Sequence, residues 1–140
     1  MSGRVVHFEV PFDDGDRARA FYGAVFRWTL QDMPGMDYTI AVSGPVTEQG
    51  APAEPGYING GMFRRGEDEP RSPVIVVDVG DIDETLGHVT TYGGTVLSPK
   101  QPIGEMGFAA YFRDTEGNVI GLWETAGETA GETAGETAGG

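Results

Sequence analysis

The pattern of apolar residues in the first half of this chain starts again in the second, and that duplication constrains the fold more than any single motif. Residues 4–10 alternate as a β-strand, with Val6, Phe8 and Val10 on one face and Val5, His7 and Glu9 on the other. A polar turn at 12–15 follows, and then Ala18, Phe21, Tyr22 and Val25 recur at the spacing of a helix that packs one face on a core. Asp13 or Asp14 is the expected N-cap. Three strands are expected over 27–33, 37–42 and 57–64, with a Gly- and Pro-rich loop at 43–56 as a candidate lid. The order then repeats: a buried strand over 73–79, a helix capped by Asp81 whose apolar face is Ile82, Leu86 and Val89, and a stop at Gly93 and Gly94. Strands over 95–98, 107–113 and 118–124 complete it, the last two joined by a tight turn at 114–117. Residues 10–14 fall on 77–81 when the halves are placed in register. The expected fold class is therefore α+β, two tandem βαβββ units over about 4–65 and 71–125.

Composition narrows the function classes. The 140 residues suit a single domain, here 1–125, and no apolar run approaches the ~20 residues of a membrane span. The first ten residues lack the apolar core of a secretory signal, so a cytoplasmic protein is expected. With no cysteine there are no disulfides, thiolate metal sites or thiol nucleophiles. The net charge of −13 repels a phosphate backbone and excludes nucleic acid as a partner. Residues 126–140 repeat an Ala-Gly-Glu-Thr unit, have nothing apolar larger than alanine, and are expected to be a disordered tail. The tail holds three glutamates and no basic residue, which leaves −10 on the body.

The motifs HFEV near the start, FYGAVFRW at the end of the first helix, INGGMF, VDVGDID, YGGTVLSP and YFRDTEGNVIGLWE follow one another in an order that resembles the vicinal oxygen chelate superfamily. That superfamily includes glyoxalase I, bleomycin-resistance proteins and extradiol dioxygenases. The resemblance covers about residues 4–125. It implies that the two units form a curled, open mixed sheet around a central cavity, with the helices outside and a small organic ligand within. A homodimer is the expected assembly.

Metal-dependent members hold Mn, Fe, Ni or Zn with His and Glu on the first and fourth strands of both units. The resemblance places those positions at His7, Val74, Gly61 (or Gly60) and Gly121, so only His7 is retained. No cofactor is expected, with a divalent metal held by a rearranged set of His7, Glu9 and Asp78 as the alternative. His7 and Glu9 share one strand face about 7 Å apart and are the candidate catalytic pair, as general base and partner carboxyl. Asn59, Gly61, Phe63, Tyr111, Gly121 and Trp123 are candidate ligand-binding residues, since aromatic walls and an amide suit an organic molecule. Glycines inside strands mark the close approach of another group. The expected function is a glyoxalase- or bleomycin-resistance-like small-molecule binder without an obligatory metal, with lyase or isomerase chemistry left open. The alternative is a metal-dependent lyase or dioxygenase.

Overall fold

A computed structural model describes residues 3–68 and 70–127; the repeat tail falls outside the described residues from 128 onward. The elements are β1 (Val5–Phe12), α1 (Gly15–Phe26), β2 (Thr29–Met33), β3 (Tyr38–Val42), β4 (Gly60–Arg64), β5 (Val74–Asp78), α2 (Ile82–Thr91), β6 (Thr95–Ile103), β7 (Gly107–Arg113) and β8 (Val119–Thr125). The fold is α+β and consists of two βαβββ units. The chain divides into a first compact unit, 6–75, and a second, from 76 onward together with the residues up to Val5.

In the first unit the strands lie in the order β2-β3-β4-β1. β2 and β3, and β3 and β4, are antiparallel; β1 runs parallel to β4, with Glu9 opposite Gly61. This register assigns every strand residue to a face. One face carries Phe12, Met62 and Ala41, which are buried and packed with Phe8, Val10 and Leu30 against Ala18 and Tyr22 of α1. Trp28 stacks on Tyr22 at 5.1 Å and meets Phe8 at 5.5 Å, which fastens the C-terminal end of the helix to the sheet. The helix face is narrower than its sequence spacing suggests. Ala18 and Tyr22 pack inward, but Phe21 and Val25 are 55% and 52% exposed, because a 12-residue helix on a four-stranded sheet covers it with one line of side chains spaced by four.

The second unit repeats the arrangement. Its order is β5-β8-β7-β6, with β5 parallel to β8 and the other pairs antiparallel. Ile82 and Leu86 of α2 pack on Ala110, Leu122 and Val79, with Val77, Phe108 and Phe112 around them. The two helices start in the same way. The Asp14 carboxylate accepts the Arg17 N–H at 3.0 Å and the Asp81 carboxylate accepts the Glu84 N–H at 3.0 Å, each satisfying one of the free donors of a first turn.

Several boundaries differ from the sequence expectation for identifiable reasons. β1 continues through Phe12, which is a core residue paired beside Arg64 and not part of the turn. β6 does not stop at Ser98; it runs to Ile103 through Pro99 and Pro102. Proline is tolerated there because β6 has β7 on one side and is the outer strand of its unit, and the register slips twice, between Val96 and Ser98 and between Ser98 and Gln101. β4 is shorter than expected and begins at Gly60.

One buried charge ties the second unit together. Glu124, 5% exposed, accepts the backbone N–H of Ile82 at 2.9 Å at the start of α2 and an ion pair from Lys100 of β6 at 3.3 Å. Lys100 also lies 4.4 Å from the centre of the Phe108 ring. Glu124→Ala would leave a buried amide and a half-buried ammonium without their acceptor. We expect a loss of about 2–4 kcal/mol of unfolding free energy in urea titrations, with Glu124→Gln, which keeps one acceptor oxygen, losing roughly half of that.

Candidate functional site

The face of the first unit's sheet turned away from α1 differs from the packed one. By register it carries His7 and Glu9 from β1, Tyr38, Ile40 and Val42 from β3, Gly61 and Phe63 from β4, and Thr29, Gln31 and Met33 from β2. Asn59 precedes β4 with the same parity. The candidate residues His7, Glu9, Gly61 and Phe63 therefore do share a face, while Asn59 stands just before β4, outside the ladder. Tyr111, Gly121 and Trp123 belong to the second unit, where they also lie on the face opposite the α2-packed core. There Tyr111 is opposite Gly121 and Trp123 is opposite Ala109, and the indole N–H of Trp123 donates to the Thr125 hydroxyl at 3.0 Å.

His7 and Glu9 are linked through a third residue. The Tyr38 hydroxyl lies 3.0 Å from His7 Nε2 and donates to Glu9 Oε2 at 2.9 Å. The phenol reaches them by crossing Gly61. Tyr38 is opposite Phe63 in the β3–β4 ladder, and its ring leans over the neighbouring position 61, where any Cβ would collide with the hydroxyl. The group whose approach the strand glycine marks is Tyr38, which fills the space over Gly61. Gly60, on the packed face, is needed for a different reason, since a Cβ there would meet the Phe8 carbonyl and ring of β1.

Tyr38 is the residue that sequence reasoning missed. Its strand and its parity within that strand were readable, but which side chain of β3 stands beside which of β4 depends on register, which no local signal sets. The usable sign was Gly61 itself, because a strand glycine marks the approach of another group.

Burial pushes the His7 imidazole below its ordinary value of 6.5, and the nearby Glu9 carboxylate opposes part of that shift. The charged form loses water, while the carboxylate favours it, and desolvation is the larger effect. Glu9 is itself only 7% exposed, and the Tyr38 hydrogen bond supplies part of the solvation it gives up.

Asn59 pins the base of the 43–56 loop. Its side-chain oxygen accepts the Ser43 N–H at 2.7 Å and lies 3.2 Å from the Ser43 hydroxyl. The loop folds on itself through a Val46–Pro52 bridge and a Thr47 N–H to Ala51 carbonyl bond at 2.8 Å, and the Tyr57 hydroxyl donates to the Pro45 carbonyl. The Nδ2 atom of Asn59 is buried without a hydrogen-bond partner.

A cleft of about 390 Å³ at the start of α1 is lined by Asp13, Asp14, Asp16, Asp32, Asp37, Arg19 and Arg64, among others. Its charges are largely matched: Arg19 pairs with Asp16 at 2.7 Å, Arg65 with Asp13 at 2.8 Å and Arg64 with Asp37 at 3.4 Å. The aspartates at 13, 14 and 16 thus serve as a helix cap and as ion-pair partners.

The donors of a divalent ion do not fit the family's pattern. Of the four ligand positions, Val74 is buried and apolar, Gly61 and Gly121 offer no side chain, and the place a ligand at 61 would take is held by Tyr38. Among the described residues no three His, Asp or Glu side chains gather closely enough to hold an ion, which applies equally to the rearranged set of His7, Glu9 and Asp78. Nor, among those residues, is any helix long and apolar enough to cross a membrane.

Comparison with known proteins agrees with this architecture. Residues 4–44 match the family model for the bleomycin resistance protein-like N-terminal region. A glyoxylase-like domain-containing protein of Didymella fabae is 29% identical over 132 residues, covering 91% of this chain and 98% of its own. Among solved structures, a hypothetical protein from Bacillus halodurans superposes with a TM-score of 0.59 at 16% identity, over 95% of this chain and 98% of that one. Methylmalonyl-CoA epimerase of Streptomyces coelicolor superposes at 0.60, also at 16% identity, over 91% and 97%. The duplicated βαβββ order, the bleomycin-resistance-like match and the glyoxylase-like relative all agree with the chain's resemblance to the vicinal oxygen chelate superfamily.

Proposed function

We propose that this protein binds a small organic molecule against the His7 face of its first unit and moves a proton at His7 without a metal, as a lyase or isomerase. The observation that supports this reading most directly is the setting of His7: half-buried, so that burial pushes its imidazole below the ordinary value, and joined through Tyr38 to a buried carboxylate. A neutral imidazole accepts a proton, and the nearby Glu9 charge stabilises the imidazolium that results. Phe63, Ile40, Val42 and Met33 give the same face apolar surface for an organic skeleton, while Gln31 and Thr29 add polar groups near its edge.

Charge restricts the ligand class. In β1 to β4 this face carries the Glu9 carboxylate and no lysine or arginine, and the whole chain has a net charge of −13. A phosphate or dicarboxylate would meet repulsion with no cation from these four strands to offset it, so a neutral or cationic ligand is favoured. In this respect the reading departs from the fold neighbour methylmalonyl-CoA epimerase, whose structure holds 2-nitronate-propionyl-CoA. The bleomycin-resistance-like match supports a ligand-sequestering version of the same site.

Two outcomes are expected. In a screen of neutral, cationic and anionic organic compounds followed by thermal shift, stabilising ligands should come from the first two groups. With any compound that is turned over, His7→Ala should lower kcat/KM by a factor of about 10²–10⁴, and wild-type turnover in His7→Ala together with Glu9→Gln would refute the catalytic assignment. The second outcome concerns stability. Well above pH 6.5 His7 is neutral in both folded and unfolded chains and contributes no slope. Below 6.5 the unfolded chain takes up the proton first, so folding stability falls with pH until His7 also protonates in the folded state. Urea unfolding of His7→Gln between pH 7.5 and about 5 should show a shallower decline than the wild type.

A further inference from the structure

The Tyr38 hydroxyl has one proton and two claimants. Glu9, a carboxylate at 2.9 Å, is the stronger acceptor, because a hydrogen bond to an ionised group is roughly twice as strong as a neutral one. Turning the hydroxyl toward His7 instead would also set an oxygen lone pair against the buried carboxylate charge. The proton therefore goes to Glu9, and toward His7 the phenol presents only lone pairs. At 3.0 Å, His7 Nε2 must then be the donor, which places the ring proton on Nε2 and leaves the lone pair on Nδ1.

We infer that Tyr38 is a positioning residue for His7, fixing its ring and tautomer so that Nδ1 is the atom that takes the ligand's proton. This rests on the proton-transfer reading above and names its acceptor atom. In that step an X–H bond of the ligand breaks, its electron pair stays on the ligand, and the proton joins Nδ1. The imidazolium so formed keeps its Nε2–H bond to Tyr38, and through Tyr38 it is linked to Glu9. No other reactant is needed. Gly61 belongs to the same device: with any larger residue at 61, the phenol could not lie between His7 and Glu9.

The arrangement is testable without a ligand, by nitrogen-15 and proton NMR on protein with labelled histidine. The chain has two histidines, His7 and His88, and a His88→Gln background leaves the signals of His7 alone. At a pH above the His7 titration, the wild type should show Nδ1 as the unprotonated nitrogen and an Nε2–H proton protected from exchange with water. Tyr38→Phe keeps the aromatic ring over Gly61 and removes only the hydroxyl, and it should lose the protected proton. Gly61→Ala keeps the hydroxyl but displaces it, and should lose the proton as well. Protection that persists in Tyr38→Phe, or a wild-type proton on Nδ1, would overturn the assignment. These results are separate from the functional reading, which instead fails if the His7→Ala variant retains turnover. Where turnover is found, Tyr38→Phe should lower kcat while leaving KM within about twofold, the pattern of an interaction that matters in the transition state.

Discussion

A four-stranded sheet has two faces, and each unit of this chain supplies one helix, enough to cover one of them. In the first unit that single fact divides the residues. The even positions of β1 and β4, Phe8, Val10, Phe12 and Met62, meet α1 and form the core. Residues on the other face receive no helix, so polar groups are affordable there only where they satisfy one another. The hydrogen bonds from Tyr38 to Glu9 and between Tyr38 and His7 meet that requirement, and a buried carboxylate without them would cost several kcal/mol. The same bonds that make the face stable also give it directed proton acceptors, so the stability of the site and its chemistry have one origin.

The duplicated unit shows how differently the same frame is used. Placing residues 10–14 on 77–81 sets His7 against Val74 and Glu9 against Val76. Both valines are buried, so the second unit's first strand is apolar where the first unit's is ionisable. Its buried carboxylate, Glu124, lies on the helix-packed face, where it accepts the first amide of α2 and pairs with Lys100. Each unit thus buries one glutamate, one toward the reactive face and one toward the helix. Only the one beside His7 has a neighbour that can exchange a proton near neutral pH.

Much of the fold was legible because it is written in local patterns. The strand alternation of β1, the repeated helix starts at Asp14 and Asp81 and the turn at 114–117 all depend on residues within one or two turns of chain. The superfamily likeness was carried by the order of such motifs. What was not legible required distance. Phe21 and Val25 have the spacing of core residues and are exposed because the sheet beneath α1 is too narrow to receive them. β6 passes two prolines because nothing pairs with its outer edge within the unit, a fact absent from its own sequence. Within the site, His7, Glu9 and the glycine at 61 could be identified, but the phenol joining them comes from a strand two places away in the sheet, and its position follows from register.

The glycine at 61 carries the strongest implication for how such a site changes. The resemblance to metal-dependent members of the superfamily would put a ligand side chain at this fourth-strand position. Here the side chain is absent and a neighbouring strand's phenol fills its place, within hydrogen-bond distance of both His7 and Glu9. An ion would hold these two side chains through strong coordinate bonds and would require His7 to offer it a lone pair. The phenol holds them through weaker bonds and accepts a hydrogen bond from Nε2–H, which leaves the Nδ1 lone pair able to react. A side chain at 61 and the phenol of Tyr38 exclude one another: a bulky residue at 61 would displace the phenol, and the phenol leaves no room for a bulky residue at 61. Metal binding through a side chain at 61 would therefore require the phenol of Tyr38 to leave the space it fills.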